Sequence, residues 1–232
     1  MTSNTKSYNL FKHRVKMTLK AIGNMIWLNL FRRPLPESDD SQEIMIGAAQ
    51  IEQFTLPDLS PLKTALSTGK IGGMHGHALF LFNLTRETKA KLVVEIGLGD
   101  GDSSTAFLLA LHETNGKLVS IDIEDKPEAK AKLQQFGLAE RWEFIQIASE
   151  KAVKNWSQHD PIDILLIDGL HSYDQVYLEY QLYKPLMRSG GYILFHDSVN
   201  LKGVVKFIKY LEKRGQGGIN FPFSNGLYVI QV

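Results

Sequence analysis

The chain has 232 residues, 44% of them hydrophobic, enough for one sizeable core with an appendage. Its formal net charge of +1 gives no global pull toward nucleic acid, and the lack of cysteine excludes disulfides and thiolate-bound zinc. No apolar run reaches the ~18 residues of a membrane-spanning helix, and there is no internal repeat or low-complexity tract.

Basic charge is concentrated at the start. Through Arg33 there are seven basic residues and no acidic one, whereas the remainder carries 19 basic against 25 acidic. Residues 8–31 predict a helix, because Phe11, Val15, Leu19, Ile22, Ile26 and Leu30 recur at spacings of three or four while Lys12, Lys16 and Lys20 share another face. Such a helix either lies on an anionic membrane surface or packs on the domain or a second subunit. Arg32-Arg33, rather than small residues, follows the apolar part, which argues against a signal peptide. Together with the missing disulfides this fits a reducing, cytoplasmic setting, with membrane association left open. Pro34 and Pro36 break the helix, and an acidic stretch, Glu37 to Glu43, reads as a linker. Residues 44–90 read as short helices. Within them Gly69 to Phe80 holds four glycines and two histidines, His75 and His77, just ahead of the helix that precedes the first strand.

The stretch Leu92-Val-Val-Glu-Ile-Gly-Leu-Gly-Asp-Gly-Asp-Ser-Ser104 predicts a buried strand, a turn with Gly97, Gly99 and Gly101 at alternate positions, and a helix opened by Ser103 and Ser104 as N-cap chemistry. Strand, glycine turn and helix form the nucleotide-binding corner of a doubly wound α/β fold. A dinucleotide fingerprint, G-x-G-x-x-G, would need glycine where Asp102 stands. Glu95, Asp100 and Asp102 would also repel a pyrophosphate but not a cationic ligand. The pattern E-x-G-x-G-x-G resembles the first motif of the class I S-adenosylmethionine-dependent methyltransferases. Their ligand carries a sulfonium and an ammonium and no phosphate.

Lys117 to Ile123 predicts a second strand, whose Asp122 lies about twenty residues after the glycine turn, the spacing of a ribose-binding carboxylate. Lys126 to Gly137 reads as a helix with a glycine C-cap, and Trp142 to Ile147 as a third strand. Ile162 to Ile167 is a near-continuous apolar run, hence a central strand, and it delivers Asp168 at its carboxyl end, followed by His171. A long helix is predicted through Met187, a turn at Ser189-Gly190-Gly191, and a fifth strand, Tyr192 to Phe195, that delivers His196-Asp197. A basic helix over 200–214 and a hairpin of two strands, 219–223 and 226–232, complete the chain. The predicted fold is a doubly wound, mostly parallel seven-stranded sheet with a C-terminal antiparallel hairpin. Its predicted divisions are an N-terminal helix (1–33), a linker with lid or substrate-shaping helices (34–90), and a catalytic domain (91–232).

Asp168, His171, His196 and Asp197 stand just past the ends of strands expected to be neighbours, so their side chains can converge beside the glycine turn. Carboxylates with imidazoles suit Mg²⁺ or Mn²⁺. A metal there would lower the pKa of an acceptor hydroxyl, and an imidazole could take its proton. Ile167-Asp-Gly-Leu-His-Ser-Tyr-Asp174, followed by Pro185-Leu-Met-Arg-Ser-Gly-Gly-Tyr-Ile-Leu-Phe-His-Asp197, resembles a metal-dependent branch of the class I O-methyltransferases. That branch includes enzymes acting on macrolide sugars and relatives of the cephalosporin-biosynthesis methyltransferase.

The resemblance implies a small-molecule acceptor and a donor held by Glu95, Gly97, Gly99, Gly101, Ser103, Asp122, Ser149 and Asp168, with Ser149 beside adenine or acting as a helix N-cap. It implies Asp168 and His171 as catalytic residues and Asp168, His196 and Asp197 as metal ligands, although His196 replaces a carboxylate. It also implies that residues 69–80 cover the donor or shape the acceptor pocket; His75 and His77 either touch substrate there or are incidental to a flexible loop. Against this stand a binding protein that has lost its chemistry and an NAD-dependent oxidoreductase. A nucleic-acid methyltransferase fits less well, since the Asn/Asp-Pro-Pro-Tyr/Phe signature is missing.

Overall fold

The computed structural model of the protein describes residues 74–222 and 224–232. The predicted 8–31 helix, the linker, most of the glycine-rich stretch, and the side chain of His75 lie outside the described residues. A 3₁₀ turn, His75–His77, leads into α1 (Ala78–Glu87). There follow β1 (Leu92–Ile96), α2 (Asp102–Thr114), β2 (Lys117–Asp122), α3 (Pro127–Gln135), β3 (Trp142–Gln146) and a single turn, α4 (Ser149–Ala152). Then come β4 (Ile162–Ile167), α5 (Tyr173–Tyr183), β5 (Met187–His196), α6 (Lys202–Lys213), β6 (Ile219–Phe221) and β7 (Leu227–Gln231).

The seven strands form one sheet in the order β3-β2-β1-β4-β5-β7-β6. Strands β1 to β5 run parallel, and β7 lies antiparallel to both β5 and β6. The order reverses between β1, which connects through α2 to β2 on one side, and β4 on the other. Ligands of such sheets bind at that reversal, beyond the carboxyl ends of the strands.

Alternation along the strands feeds two separate cores. Val93, Leu118, Ile164, Leu166 and Leu194 join α1 and α2 on one face. Leu92, Val94, Ile96, Val119, Ile121, Leu165, Ile193 and Phe195 join α5 and α6 on the other. Helix α1 was assigned by sequence to the segment ahead of the catalytic domain, but Phe80, Leu81 and Phe82 are buried in the first of these cores. It is therefore part of the doubly wound unit. Among the described residues no helix is long and apolar enough to cross a membrane.

Two local readings change. The helix predicted through Met187 ends at Tyr183, because a 3₁₀ turn at Lys184–Leu186 follows and Met187 already pairs with Ile162. Ser189-Gly190-Gly191 is not a turn ahead of a strand but an excursion within β5. Ile162 pairs with Met187 and Ile164 with Tyr192, and the chain between is taken up with Gly190 at φ 82°.

Candidate active site

The glycine turn is shaped by backbone that only glycine adopts easily. Gly97, Gly99 and Gly101 have φ of 94°, 51° and 78°. At Gly97 a further constraint acts: a Cβ would lie 2.1 Å from the carbonyl oxygen of Asp168. The ends of β1 and β4 are thus locked together, with Asp168 N–H donating to Ile96 O at 2.8 Å.

Beside this junction opens a cleft of about 480 Å³. Gly97, Gly99, Asp122, Ser149 and Asp168, all expected from sequence, line it. Asp122 ends β2, and its two oxygens accept the backbone N–H groups of Leu98 (3.0 Å) and Glu124 (2.9 Å). It therefore fixes the glycine loop while each oxygen keeps a lone pair for a ligand. Ser149 is the first residue of α4, with Ala148 as the cap, so it is not an N-cap. Its hydroxyl donates to Glu179 Oε1 at 2.8 Å.

Sequence reasoning missed several residues of this cleft. Ile123 and Leu170 line it and are 69% and 68% exposed, two apolar side chains held at its rim. Gln175 and Glu179, one helical turn apart on α5, also line it, and Gln175 Nε2 donates to Glu179 Oε1 at 2.9 Å. Burial pushes the Glu179 carboxyl above the usual range. Exposed large apolar residues straight after two strand ends, Asp122 and Asp168, were the available signal.

Three predicted donor contacts do not line the cleft. Glu95 follows Val94 in β1 and so points to the opposite face, toward α2. There it is fully buried, and its carboxylate accepts the hydroxyls of Ser103 (2.8 Å), Ser104 and Ser120 (2.5 Å). Ser103 and Ser104 are accordingly not caps, since Gly101 is the N-cap of α2 and both hydroxyls hold Glu95. Gly101 shapes the loop and sits against Ala129 instead of the cleft.

Burial lifts the Glu95 pKa to about 7, only partly opposed by the three serines. The unfolded value of 4.5 is lower, so ionisation favours unfolding. The contribution of Glu95 to stability is greatest below 4.5, falls as the pH rises toward 7, and is then level. The loss is on the order of 3 kcal/mol. Glu95→Gln should flatten this part of the pH–stability curve in urea titrations, whereas curves that stay parallel would remove the assignment.

Past the ends of β4 and β5 the four predicted polar residues do converge. His171 Nε2 lies 3.1 Å from Asp168 Oδ1 and 2.9 Å from Asp197 Oδ2. His196 Nδ1 lies 3.0 Å from Asp168 Oδ1 and 3.5 Å from Asp197 Oδ2. Asp197 reaches this position at φ 57°, a left-handed conformation that Asp tolerates better than most residues. Hydrogen bonds to Asp168 and Asp197 lift His171 to about 9. For His196 burial acts downward, but the charge of Asp168 and bonds to both carboxylates outweigh it and lift it to about 10. Burial likewise opposes ionisation of both aspartates, and the imidazoles more than reverse it, holding them below the usual range. The group is a neutral quartet of two anions and two cations, and neither imidazole is the ready base that an ordinary histidine pKa suggests.

The two histidines are not equivalent. His196 is 3% exposed and its Nε2 donates to the carbonyl of Ser224 at 3.2 Å, so both ring nitrogens are engaged. The sequence assigns it as a metal ligand, and its Nδ1 does face both carboxylates. Among the described residues, Asp168, His171 and Asp197 have ligating atoms that all lie within 4.8 Å of one another. Two carboxylates with one imidazole fit a divalent cation in number and in chemistry. His77, expected to touch substrate, is fully buried behind His196, edge to face at 5.9 Å. It backs onto the quartet through the His196 ring.

Residues 94–198 match the family described as Methyltransferase domain. Among solved structures, the O-methyltransferase TomG from Streptomyces achromogenes, involved in tomaymycin synthesis and bound to S-adenosylmethionine, superposes with a TM-score of 0.65 at 18% identity. The match spans 84% of this chain and 99% of that one. The S-adenosylhomocysteine-bound methyltransferase PaMTH1 of Podospora anserina gives 0.64 at 15% identity, over 85% and 97% of the two chains. An O-methyltransferase from Bacillus cereus, in complex with S-adenosylhomocysteine, gives 0.63 at 16%, over 83% and 100%. No curated protein sequence matches the chain significantly.

Proposed function

We propose that this chain, whose residues 94–198 match a methyltransferase domain and whose fold is that of S-adenosylmethionine-bound methyltransferases, uses S-adenosylmethionine to methylate a hydroxyl oxygen of a small molecule with the help of a divalent metal. The observation that carries this reading is the double position of Asp168. It lines the cleft and at the same time holds His171 and His196. A donor in the cleft and an acceptor at the quartet therefore meet at one residue.

The donor's ribose hydroxyls bind the free lone pairs of Asp122, and its adenine lies by Ile147, Ala148 and Ser149. Gly97 and Gly99 admit the methionyl part close to backbone, and the negative charge of Asp168 faces the sulfonium side. Asp168 and Asp197 are the residues that would hold Mg²⁺ or Mn²⁺, which would supply acidification of a bound hydroxyl, with His171 beside them. His171, 27% exposed against 3% for His196, is the imidazole an acceptor can reach, and in its neutral form it takes the hydroxyl proton. The oxygen then bonds to the methyl carbon as the carbon–sulfur bond breaks, its electron pair staying on sulfur to leave S-adenosylhomocysteine.

Calorimetric titration with S-adenosylhomocysteine tests the donor half. The native chain should bind it, and Asp122→Ala should bind roughly thirtyfold or more weakly, since charged hydrogen bonds are lost. Native chain without affinity would overturn the reading. The acceptor half is tested by incubating the chain and trideuteromethyl-labelled donor with a small-molecule extract. Label should appear in mass spectra as a methyl ether or ester, and label confined to amines or thiols would exclude O-methylation.

A further inference from the structure

The outer face of α6 carries charge that the proposed reaction does not use. Lys202, Lys206, Lys209 and Lys213 fall at spacings of four, three and four, one exposed stripe, opposite the buried Val204, Phe207, Ile208 and Leu211. Among the described residues none of the four lysines has an ion-pair partner. Lys206 instead lies 4.4 Å from the ring centroid of Tyr173. A groove of about 380 Å³ runs along this face, lined by Val199, Asn200, Lys202, Val205, Lys206 and Lys209.

Two contacts tie the groove to the quartet. Leu201 N–H donates to the carbonyl of Asp197 at 3.2 Å. The first turn of α6 also presses on the His171 segment so closely that a Cβ on Gly203 would lie 2.2 Å from the His171 carbonyl oxygen. The groove thus begins where the proposed acceptor sits. Val199, 41% exposed, gives it an apolar lip, and its wall bears three ammonium groups. Unpaired like charges on one helical face repel, and a bound polyanion offsets that repulsion.

We infer that this groove binds a phosphate group carried by the acceptor, so that the molecule methylated is a phosphorylated hydroxy compound. The inference rests on the methyltransferase reading for the acceptor's position, but not for the anion site itself. A soluble phosphate ester and a phospholipid headgroup both offer this chemistry.

The full chain should bind inorganic pyrophosphate in calorimetric titrations at low salt, more weakly as salt is raised. The combined variant Lys202→Gln, Lys206→Gln, Lys209→Gln should bind it roughly tenfold or more weakly. Sedimentation with phosphatidic acid vesicles, against phosphatidylcholine vesicles, separates the sources. Lysine-dependent retention on the former assigns a headgroup, and pyrophosphate binding without retention assigns a soluble ester. A native chain that binds neither probe, or a triple variant that binds as well as the native chain, overturns the inference. S-adenosylhomocysteine affinity should be equal in both chains. Its absence from the native chain would remove the methyltransferase reading and leave the pyrophosphate result standing.

Discussion

Gly97→Ala is expected to remove measurable S-adenosylhomocysteine binding, a loss of roughly a hundredfold or more, and to lower thermal stability as well. Two costs coincide there. The backbone is at φ 94°, where an alanine is strained, and the new methyl would lie 2.1 Å from the Asp168 carbonyl oxygen. Neither β1 nor β4 can withdraw without breaking the bonds of Gly97 N–H to Ile121 O and of Asp168 N–H to Ile96 O, both 2.8 Å. Gly99→Ala is the control. It shares a positive φ, at 51°, but a Cβ there meets nothing within 4 Å. Its cost should be about 1 kcal/mol of backbone strain, with donor affinity lowered only several-fold. Equal losses at the two positions would show that loop flexibility, not the β1–β4 contact, governs the cleft.

Mn²⁺ titrated into the chain and followed by electron paramagnetic resonance should bind at one site per chain. Asp168→Ala and Asp197→Ala should each weaken it by roughly a hundredfold, because each removes a charged oxygen donor. His196→Gln should weaken it far less, since that ring is turned to Asp168 and the Ser224 carbonyl. Binding that survives both aspartate variants would place the ion elsewhere. A native chain without binding would leave the quartet as a metal-free charge network, with donor binding unaffected. Asp168→Ala should also destabilise the fold, because the buried His196 cation then keeps one carboxylate, Asp197 at 3.5 Å, beside its bond to the Ser224 carbonyl.

Much of the architecture was legible because the parallel strands are buried on both faces and read as apolar runs. Leu92–Ile96 and Ile162–Ile167 stand where the sequence places them, as does the glycine turn. The strand-end rule then brought Asp122, Asp168 and Asp197 to one edge. What the motif concealed was direction. Ile96 and Glu95 are neighbours in the chain but belong to opposite faces, so the acid of the glycine motif could be part of the loop without touching what the loop holds. Counting by two from Val93 would have shown it. His196 illustrates the same rule, sharing its face with Leu194 and backing onto His77. The β5 excursion escaped because Ser189-Gly190-Gly191 has ordinary turn composition, and only pairing with β4 reveals a strand on both sides of it. Gln175 and Glu179 reach the cleft from a helix whose register against the sheet no local pattern reports.

The clasp formed by Glu95 and three serines has a consequence for how such a protein can change over generations. It secures the loop from the side of the sheet that no ligand sees. Substitution at the mouth of the cleft, at Ile123 or Leu170, therefore leaves this support of the loop untouched.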